Sequence, residues 1–492
     1  MPKRAPAIDL QLNLTFCSGL PRHRQLYSAL KRAVLDGQFR SGNRLPSTRS
    51  LARTLGISRT TVLDAFEQLS AEGYLEGKVG SGTRVACCIP GNPERASQRL
   101  SGRLARSAPR VSQRAHLPIE EDLSFLQTSA RPLRPGQPES SLFPRTLWSR
   151  LAAKHWRRAN RDPEHIDSLG YRPLRKAIAD YLARIRGVRC EPDQVLIVGG
   201  AQQALYLCAY TLLDPGESVW MEDPGYPRAR RAFLGAGLKV VPVPVDAEGI
   251  NVAVGRKSHP SPRLVFVTPS FQCPLGSMMS LARRFELLQM AKEQASWILE
   301  DDYFHEYRFG TAPVACLQSI DETGRVIYIG NFSKSVAPSL RIGYLVLPPG
   351  LVESFQRARS TISRQPPGVE QAILAEFITE GHLEWFIKMS LRVYSDRRDV
   401  LAETIRKYGE QNLEISPSGV GMYLVAWLKQ RIDDRDAALA AAAHGVDAIP
   451  LSAFCSRPLR RKGLVLGYSG YEPERIQLAA RRVCEVLSAI KT

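Results

Sequence analysis

One stretch of the chain limits how the rest of it can fold. Residues 86–117 read ACCIPGNPERASQRLSGRLARSAPRVSQRAHL, a segment rich in Arg, Ser, Pro and Gly whose apolar residues follow neither a helical nor a strand period. Such composition is typical of a linker, because it offers no continuous apolar face to bury. A single core cannot run through this segment. We therefore expect a small folded head before it and a large folded body after it.

Positive charge is concentrated on the head side of this linker. The chain carries 67 Lys and Arg against 48 Asp and Glu, a net charge of +19, and 19 of the bases but only 7 of the acids lie in residues 1–114. A basic head indicates a polyanion such as DNA as its partner, because neutralised phosphates release their bound counterions. A merely solubilising surface is the alternative that the charge alone leaves open.

Composition excludes several other classes of protein. The chain has 492 residues and is 44% hydrophobic, enough for about three domains with cores of their own. No window approaches the ~20 consecutive apolar residues of a membrane span, and residues 1–16 lack the pattern of a signal peptide. The 9 cysteines include no CxxC pair, so neither a zinc site nor a disulfide framework is indicated. We expect a cytoplasmic protein with no bound metal and no membrane contact.

The head contains the local signals of two short helices joined by a tight turn. Ser47 and Ser58 are suited to cap the two helices, and Gly56 permits the turn between them. The first turn of the second helix then presents Arg59 followed by two threonines. Such a helix end can enter the major groove of DNA, where an arginine can reach a guanine edge. A helical hairpin without function would show the same apolar spacing.

Residues 45–62, LPSTRSLARTLGISRTTV, resemble the pattern of a GntR-type winged helix-turn-helix. The resemblance continues into a glycine-rich wing at residues 74–85. It implies that the second helix and the wing contact double-stranded DNA. The residues expected to contact DNA are Arg49 in the first helix, Ser58, Arg59, Thr60 and Thr61 at the start of the second, and Lys78 and Gly80 in the wing.

The body alternates helical stretches with runs rich in β-branched residues. The expected strands are residues 194–198, 219–221, 240–245, 264–268, 297–300, 326–330 and 344–347. This alternation predicts a mostly parallel central sheet covered by helices, so the chain as a whole is expected to be a multi-domain α/β protein. The expected boundaries are 12–86 for the head, 87–120 for the basic linker and 121–492 for the body, whose large part is about 140–365 and whose small part is about 366–492.

Four short motifs of the body each follow an expected strand. They are GGAQQ at residues 199–203, PGY at 224–226, DDY at 301–303, and SK at 333–334 with Arg341 shortly after it. A lysine at the mouth of a sheet suits a Schiff base, a carboxylate can keep a pyridine nitrogen protonated, and a glycine loop at a helix start can hold a phosphate. In combination these signals indicate pyridoxal 5'-phosphate. Each alone has an ordinary explanation, as a surface lysine, an acidic turn or a helix start.

The order of these motifs resembles that of the fold-type I aminotransferases. With the head included, the chain is similar to the MocR subfamily of GntR-type regulators, in which an aminotransferase-like domain follows the winged helix. The resemblance implies that Lys334 forms the Schiff base, that Asp301 pairs with the pyridine nitrogen and that Tyr303 contacts the phenolic oxygen. It also implies that Tyr226 stacks on the ring and that Arg228 faces the carboxylate of an effector. The residues expected to hold the phosphate are Arg341, Ser333, Gly200, Ala201 and Gln202.

At several positions, including Val465 and Cys273, the chain departs from the pattern of working aminotransferases. The arginine that clamps the substrate carboxylate in those enzymes corresponds to Val465, with a basic run at residues 460–462 close by as a possible displaced clamp. The asparagine that is common ahead of PxG corresponds to Cys273. Both departures weaken the expectation of efficient transamination more than that of cofactor binding.

Two functions of different classes follow from the sequence. In the first, the chain is a homodimeric transcriptional regulator that binds pyridoxal 5'-phosphate, senses an amine, an amino acid or the cofactor itself, and changes how its heads engage DNA. In the second, it is an aminotransferase with an auxiliary DNA-binding domain. The match of the head and the missing clamp favour the regulator, with no physiological turnover and no catalytic residues.

Overall fold

The chain folds as two units, Met1–Val111 and Ser112–Thr492. The computed structural model describes residues 20–78, 82–86, 111–112, 131–159, 167–310, 314–363, 366–415, 420–429 and 431–490. Gly80 of the expected wing and nearly all of the expected linker lie outside the described residues. None of the described helices is long and apolar enough to cross a membrane.

The head consists of three helices followed by a two-stranded hairpin. The elements are α1 (Arg22–Leu35), α2 (Thr48–Leu55), α3 (Arg59–Ala71), β1 (Leu75–Lys78) and β2 (Gly82–Val85). The two strands are antiparallel and form the wing. One small core holds the buried side chains of Leu26, Leu30, Leu51, Val62, Phe66 and Leu69. The predicted winged helix-turn-helix is confirmed.

The helix boundaries in the head follow from local side-chain chemistry. Ser47 Oγ accepts a hydrogen bond from the Ser50 amide at 3.2 Å, and Ser58 Oγ accepts one from the Thr61 amide at 3.1 Å. Each cap satisfies an amide that the first turn of a helix leaves without a partner. Gly56 ends α2 in the left-handed conformation with φ of 61°, which glycine adopts without strain. The turn between α2 and α3 is therefore as predicted.

The body is built around an eight-stranded sheet. Its strands are β3 (Val195–Val198), β4 (Ser218–Asp223), β5 (Lys239–Asp246), β6 (Gly249–Ile250), β7 (Leu264–Val267), β8 (Trp297–Asp301), β9 (Val326–Asn331) and β10 (Gly343–Val346), in the order β3-β10-β9-β8-β7-β4-β5-β6. Strands β9, β8, β7, β4 and β5 are parallel, whereas β10 is antiparallel to both of its neighbours. The predicted mostly parallel sheet is confirmed.

Helices cover both faces of this sheet. The helices of the body are α4 (Arg145–Ala159), α5 (Arg172–Arg186), α6 (Ala201–Leu212), α7 (Pro227–Gly235), α8 (Val252–Ser258), α9 (Leu281–Glu293), α10 (Leu317–Ile320), α11 (Val352–Ile362), α12 (Gly368–Thr379), α13 (His382–Gly409), α14 (Asp434–Ala443) and α15 (Pro473–Ala489). Along β3, Val195 and Ile197 pack into one core with α5 and α12, while Leu196 and Val198 pack into another with α6 and α7. Burial on both faces explains why the strand is a continuous apolar run.

A second, four-stranded sheet forms the small part of the body. Its strands β11 (Leu413–Ile415), β12 (Tyr423–Leu428), β13 (Ile449–Pro450) and β14 (Gly463–Gly467) are antiparallel in the order β11-β12-β14-β13. The long helix α13 packs Phe386 against the core of the large part, and Leu401 and Ile405 against the core beneath this second sheet. One helix thus joins the two parts of the body.

Candidate functional site

The carboxyl ends of the parallel strands bring the predicted motifs to one edge of the large sheet. PGY follows β4, DDY overlaps the end of β8, and SK follows β9. The glycine loop follows β3, which points the same way as β9 because both are antiparallel to β10. Arg341 comes just before β10, whose first residue lies at this same edge. Ligands of open α/β sheets bind outside the carboxyl ends of the strands.

Lys334 lies at this edge in a constrained position. Its Nζ donates a hydrogen bond to the carbonyl of Gly136, and its own carbonyl accepts one from the Tyr307 hydroxyl at 3.0 Å. Gly136 has φ of 68°, and a Cβ there would lie 3.2 Å from Lys334 Nζ, so glycine suits the close approach. Burial and the nearby charge of Arg228 lower the pKa of Lys334 to about 8. A lowered pKa leaves more of the amine in its nucleophilic form.

The two carboxylates of DDY have opposite environments. Asp302 is paired with Arg186 at 2.7 Å and accepts a hydrogen bond from Tyr328 at 2.7 Å. In spite of burial, the Arg186 guanidinium lowers the pKa of Asp302. Asp301 Oδ1 is buried and has no hydrogen-bond partner among the residues that the structure describes. Burial, together with the charges of Asp302 and Glu222, raises the pKa of Asp301 to about 7.

Backbone amides and a guanidinium group lie together at the start of α6. Gly200 precedes the helix with φ of 92°, and Ala201 is its first residue. Arg341 Nη2 donates to the Gly199 carbonyl at 3.3 Å, and a Cβ on Gly200 would lie 3.6 Å from the Arg341 guanidinium carbon. The first amides of α6 and this guanidinium supply the donors that a phosphate requires. The side-chain amide of Gln202 instead donates to the Arg228 carbonyl at 3.3 Å.

Tyr226 lies among several of the other predicted residues. Burial raises its pKa, and the ionisable groups close enough to affect it further are Arg228, Asp301, Cys273 and Arg341. Arg228 is exposed in the first turn of α7, and Ser333 directly precedes Lys334. The structure therefore collects on one side of the body residues that are distant in sequence.

Sequence reasoning missed Tyr423, which is the first residue of β12. Its hydroxyl oxygen lies 3.1 Å from that of Tyr303. It also missed Glu222, whose Oε2 accepts from the Thr268 hydroxyl at 2.6 Å and whose pKa is raised to about 7 by burial. No local pattern indicates Tyr423, because it lies in another sheet. Glu222 directly precedes DPGY, and a carboxylate at the end of a buried strand was a usable signal.

The structure surrounds Val465 with apolar residues. It is 0% exposed in β14, where it is paired with Val425 and Ile449. Of the basic run nearby, Arg461 bonds Glu414 and stacks on Trp427, and Lys462 pairs with Asp433 at 3.3 Å. These cations are thus engaged with neighbours of their own. No group of side chains suited to a metal ion occurs among the described residues.

In the head, Ser58, Arg59, Thr60 and Thr61 form the cap and first turn of α3, and Arg49 lies in the first turn of α2. Arg49, Arg59 and Thr60 are exposed. The hydroxyls of Thr60 and Thr61 lie 2.9 and 2.8 Å from Ser58 Oγ, so the cap also orients both threonines. Lys78 ends β1. The exposed cation at the N-terminus of α3 suits entry into a major groove.

Each of the two units matches a known protein family. Residues 22–85 match the family model for bacterial regulatory proteins of the gntR family, and residues 148–460 match aminotransferase class I and II. The chain is 40% identical to the probable rhizopine catabolism regulatory protein MocR of Rhizobium meliloti over 93% of this chain and 92% of that protein. It is 33% identical to the transcriptional regulator TauR of Rhodobacter capsulatus over 95% of this chain and 97% of that one.

Two solved aminotransferase structures are similar to about four fifths of this chain. A kynurenine aminotransferase of Pyrococcus horikoshii in complex with PMP has a TM-score of 0.71 and 26% identity, covering 79% of this chain and 98% of that one. LysN of Thermus thermophilus, an α-aminoadipate aminotransferase complexed with N-(5'-phosphopyridoxyl)-L-leucine, has a TM-score of 0.70 and 27% identity, covering 77% and 97%. With its gntR-family head, its aminotransferase class I and II body and its likeness to MocR along almost the whole chain, this protein belongs to the MocR-type transcriptional regulators of the GntR family.

Proposed function

We propose that this regulator binds pyridoxal 5'-phosphate covalently through Lys334 and uses it to sense a small molecule. The observation that carries the proposal is that two suitable groups, one carboxyl and one amine, lie at the same edge of the sheet. Asp301 offers a buried carboxyl oxygen without a partner in the described chain, and Lys334 offers an amine whose pKa is lowered to about 8. Two structural neighbours of the body were solved with PMP or a phosphopyridoxyl compound.

The residues at the edge fit the chemical groups of this cofactor. A protonated pyridine nitrogen would give Asp301 Oδ1 the partner that a buried carboxylate requires. The N-terminus of α6, from Gly200 to Gln202, would hold the phosphate together with Arg341 and Ser333. When bound, the cofactor supplies a carbonyl carbon that reacts reversibly with primary amines. Lys334 would hold it covalently, Tyr303 would contact its phenolic oxygen, and Tyr226 would stack on its ring.

The sensed molecule is an amine, an amino acid or the cofactor itself. Arg228 is exposed in the first turn of α7, and its charge lowers the pKa of Lys334, so it lies close to the reacting amine. A carboxylate bound by Arg228 would be placed beside the reacting centre. Since Val465 is buried among apolar residues, the chain lacks a clamp there for an α-carboxylate. This favours sensing over turnover.

The head would transmit the signal to DNA. Arg49, Arg59, Thr60 and Thr61 would contact the operator from α2 and α3, and Ser58 would position the two threonines. Lys78 and Gly80 would approach the phosphates from the wing. We infer that the protein works as a homodimer in the cytoplasm, bound to the nucleoid, because two copies of the head would read the two halves of a symmetric site.

Absorption spectroscopy tests the cofactor proposal. Protein supplied with pyridoxal 5'-phosphate and then desalted should keep an absorption band near the edge of the visible range. Lys334→Ala should abolish this band, whereas Lys239→Ala, which removes an exposed lysine at the start of β5, should leave it unchanged. Wild-type protein that stays colourless after desalting would refute the proposal.

An aminotransferase with an auxiliary DNA-binding domain is the second candidate, supported by the likeness of the body to solved aminotransferases. The rate of transamination distinguishes the enzyme from the regulator. Loaded protein mixed with common amino acids and a keto acid should react far more slowly than about 1 per second, the lower end of typical enzyme rates. Turnover at or above that rate would favour the enzyme.

A further inference from the structure

Two tyrosines from different sheets meet beside the site. Tyr303 follows β8 in the large part of the body, and Tyr423 begins β12 in the small part. Their hydroxyl oxygens are 3.1 Å apart, within hydrogen-bond distance. The ring of Phe271 makes edge contacts with both, at centroid distances of 5.8 Å to Tyr303 and 5.1 Å to Tyr423. Tyr423 is buried, so its hydroxyl has little access to water as an alternative partner.

Cys273 is the third member of this cluster. Its thiol is buried and forms side-chain contacts with both phenols. A thiol is a much weaker hydrogen-bond donor than an amide N–H. The chain therefore has no strong donor at the position where an asparagine was expected from the aminotransferase pattern. The Tyr423 hydroxyl, from the small part of the body, lies beside this thiol.

The number of protons fixes the direction of the contact between the phenols. Each hydroxyl has a single proton to donate. If Tyr303 gives its proton to the phenolic oxygen of the bound cofactor, its own oxygen can only accept at the 3.1 Å contact. A hydrogen bond at this contact then has the Tyr423 hydroxyl as its donor. We propose that Tyr423 is a positioning residue of the cofactor site, which donates to Tyr303 and so strengthens Tyr303 as a donor to the cofactor; this inference rests on the proposed function.

We call the chain of hydrogen bonds from Tyr423 through Tyr303 to the cofactor oxygen the relay. It has a measurable consequence at Lys334. Hydrogen bonds in a chain polarise one another, so a donor behind Tyr303 increases the stabilisation of negative charge on the cofactor oxygen. With the cofactor bound, a localised negative charge on that oxygen would favour a proton on Lys334 Nζ. If Tyr423 donates to Tyr303, Nζ would therefore lose its proton at a lower pH. The relay also joins the two parts of the body, since one phenol comes from each.

Three conservative variants test the relay through the pH midpoint of the cofactor band. Tyr423→Phe should move the midpoint upward by about half a pH unit, the size expected for loss of one cooperative hydrogen bond. Tyr303→Phe should move it further in the same direction. Tyr468→Phe is the matched control, because it removes a buried hydroxyl of the small part that donates to the Gly421 carbonyl at 2.7 Å. It should leave the midpoint in place.

The outcomes are separable. The other ionisable groups described near the site are the same in all three variants; they are Arg228, Asp301, Glu222, Cys273, Arg341 and Tyr226. If the pH midpoint of the cofactor band is the same in Tyr423→Phe as in wild type, but is shifted in Tyr303→Phe, the role of Tyr423 is overturned and the cofactor proposal stands. An equal shift in Tyr468→Phe also overturns it, because the effect would then be structural. A wild-type protein without any band would overturn the cofactor proposal and the relay together.

Discussion

The adjacent carboxylates of Asp301 and Asp302 are expected to affect the free energy of unfolding in opposite directions. The pKa of Asp301 is raised to about 7 by burial, so the folded state binds its proton more tightly than the unfolded state does. Its contribution to stability is therefore full below about pH 4 and is lost as the pH rises through about 7. Cofactor-free Asp301→Asn should be more stable than wild type at pH 8, by on the order of 2 kcal/mol, with the gap closing toward pH 4.

Urea unfolding of cofactor-free protein at several pH values measures this gap. Asp302→Asn is the contrasting variant, since Asp302 is paired with Arg186 and its pKa is lowered. Removing one partner of a buried pair leaves the other charge uncompensated, so this variant should be less stable than wild type by about 3 kcal/mol. A gap for Asp301→Asn that does not change with pH would contradict the assignment of an unpaired carboxyl.

Among individual residues, the sequence motifs predicted some members of the candidate site and missed others. Lys334, Asp301 and Arg341 were predictable because each belongs to a motif next to a strand, and parallel strands bring such motifs to one edge. Tyr423 lies 120 residues from Tyr303, and its place is set by tertiary packing against the residues that follow β8. The contact between Lys334 and Gly136 spans 198 residues and is likewise set by tertiary structure.

Among the helices and strands, α3 of the head is the one for which the structure supports the most specific prediction. Arg59 is exposed in its first turn, where a recognition helix contacts bases. Arg59→Ala should weaken binding to the operator by about 1–3 kcal/mol and relax sequence preference, as expected for loss of a base contact. Arg24→Ala, which removes an equal charge from an exposed position of α1, should leave sequence preference unchanged. Fluorescence anisotropy with operator and scrambled duplexes distinguishes them, and equal losses on both duplexes for Arg59→Ala would contradict the base contact.

The strands show which elements could be predicted and why. The seven expected strands of the large sheet agree with the observed ones to within two residues. Strands β3, β7 and β10 are buried along their whole length, which favours a continuous apolar run. The partly buried β5 was also predicted, whereas the two-residue β6 was missed. The small sheet was missed. Its strands β11 and β13 are only 3 and 2 residues long, too short for any periodic pattern. The caps at Ser47 and Ser58 were predictable because a cap depends only on a few neighbouring residues.

For the whole molecule, sensing requires that an event at Lys334 change what α3 does in the other unit of the chain. If an effector changes the DNA affinity of the loaded protein, DNA must change the affinity for that effector by the same factor, commonly 5- to 150-fold. Titrating effector with and without operator, and operator with and without effector, measures the two factors independently. Unequal factors would show that the measured states are not linked by one equilibrium.

Two variants then separate sensing from DNA binding. Lys334→Ala should still bind the operator, because its head is unchanged, yet its DNA affinity should no longer respond to the effector. Arg59→Ala should bind the operator more weakly but bind the effector normally when DNA is absent. If Lys334→Ala kept the full response, the signal would not pass through the lysine, and the effector would have to act at another site. The two single losses together would show that one chain keeps recognition in the head and detection in the body, joined only by their shared equilibrium.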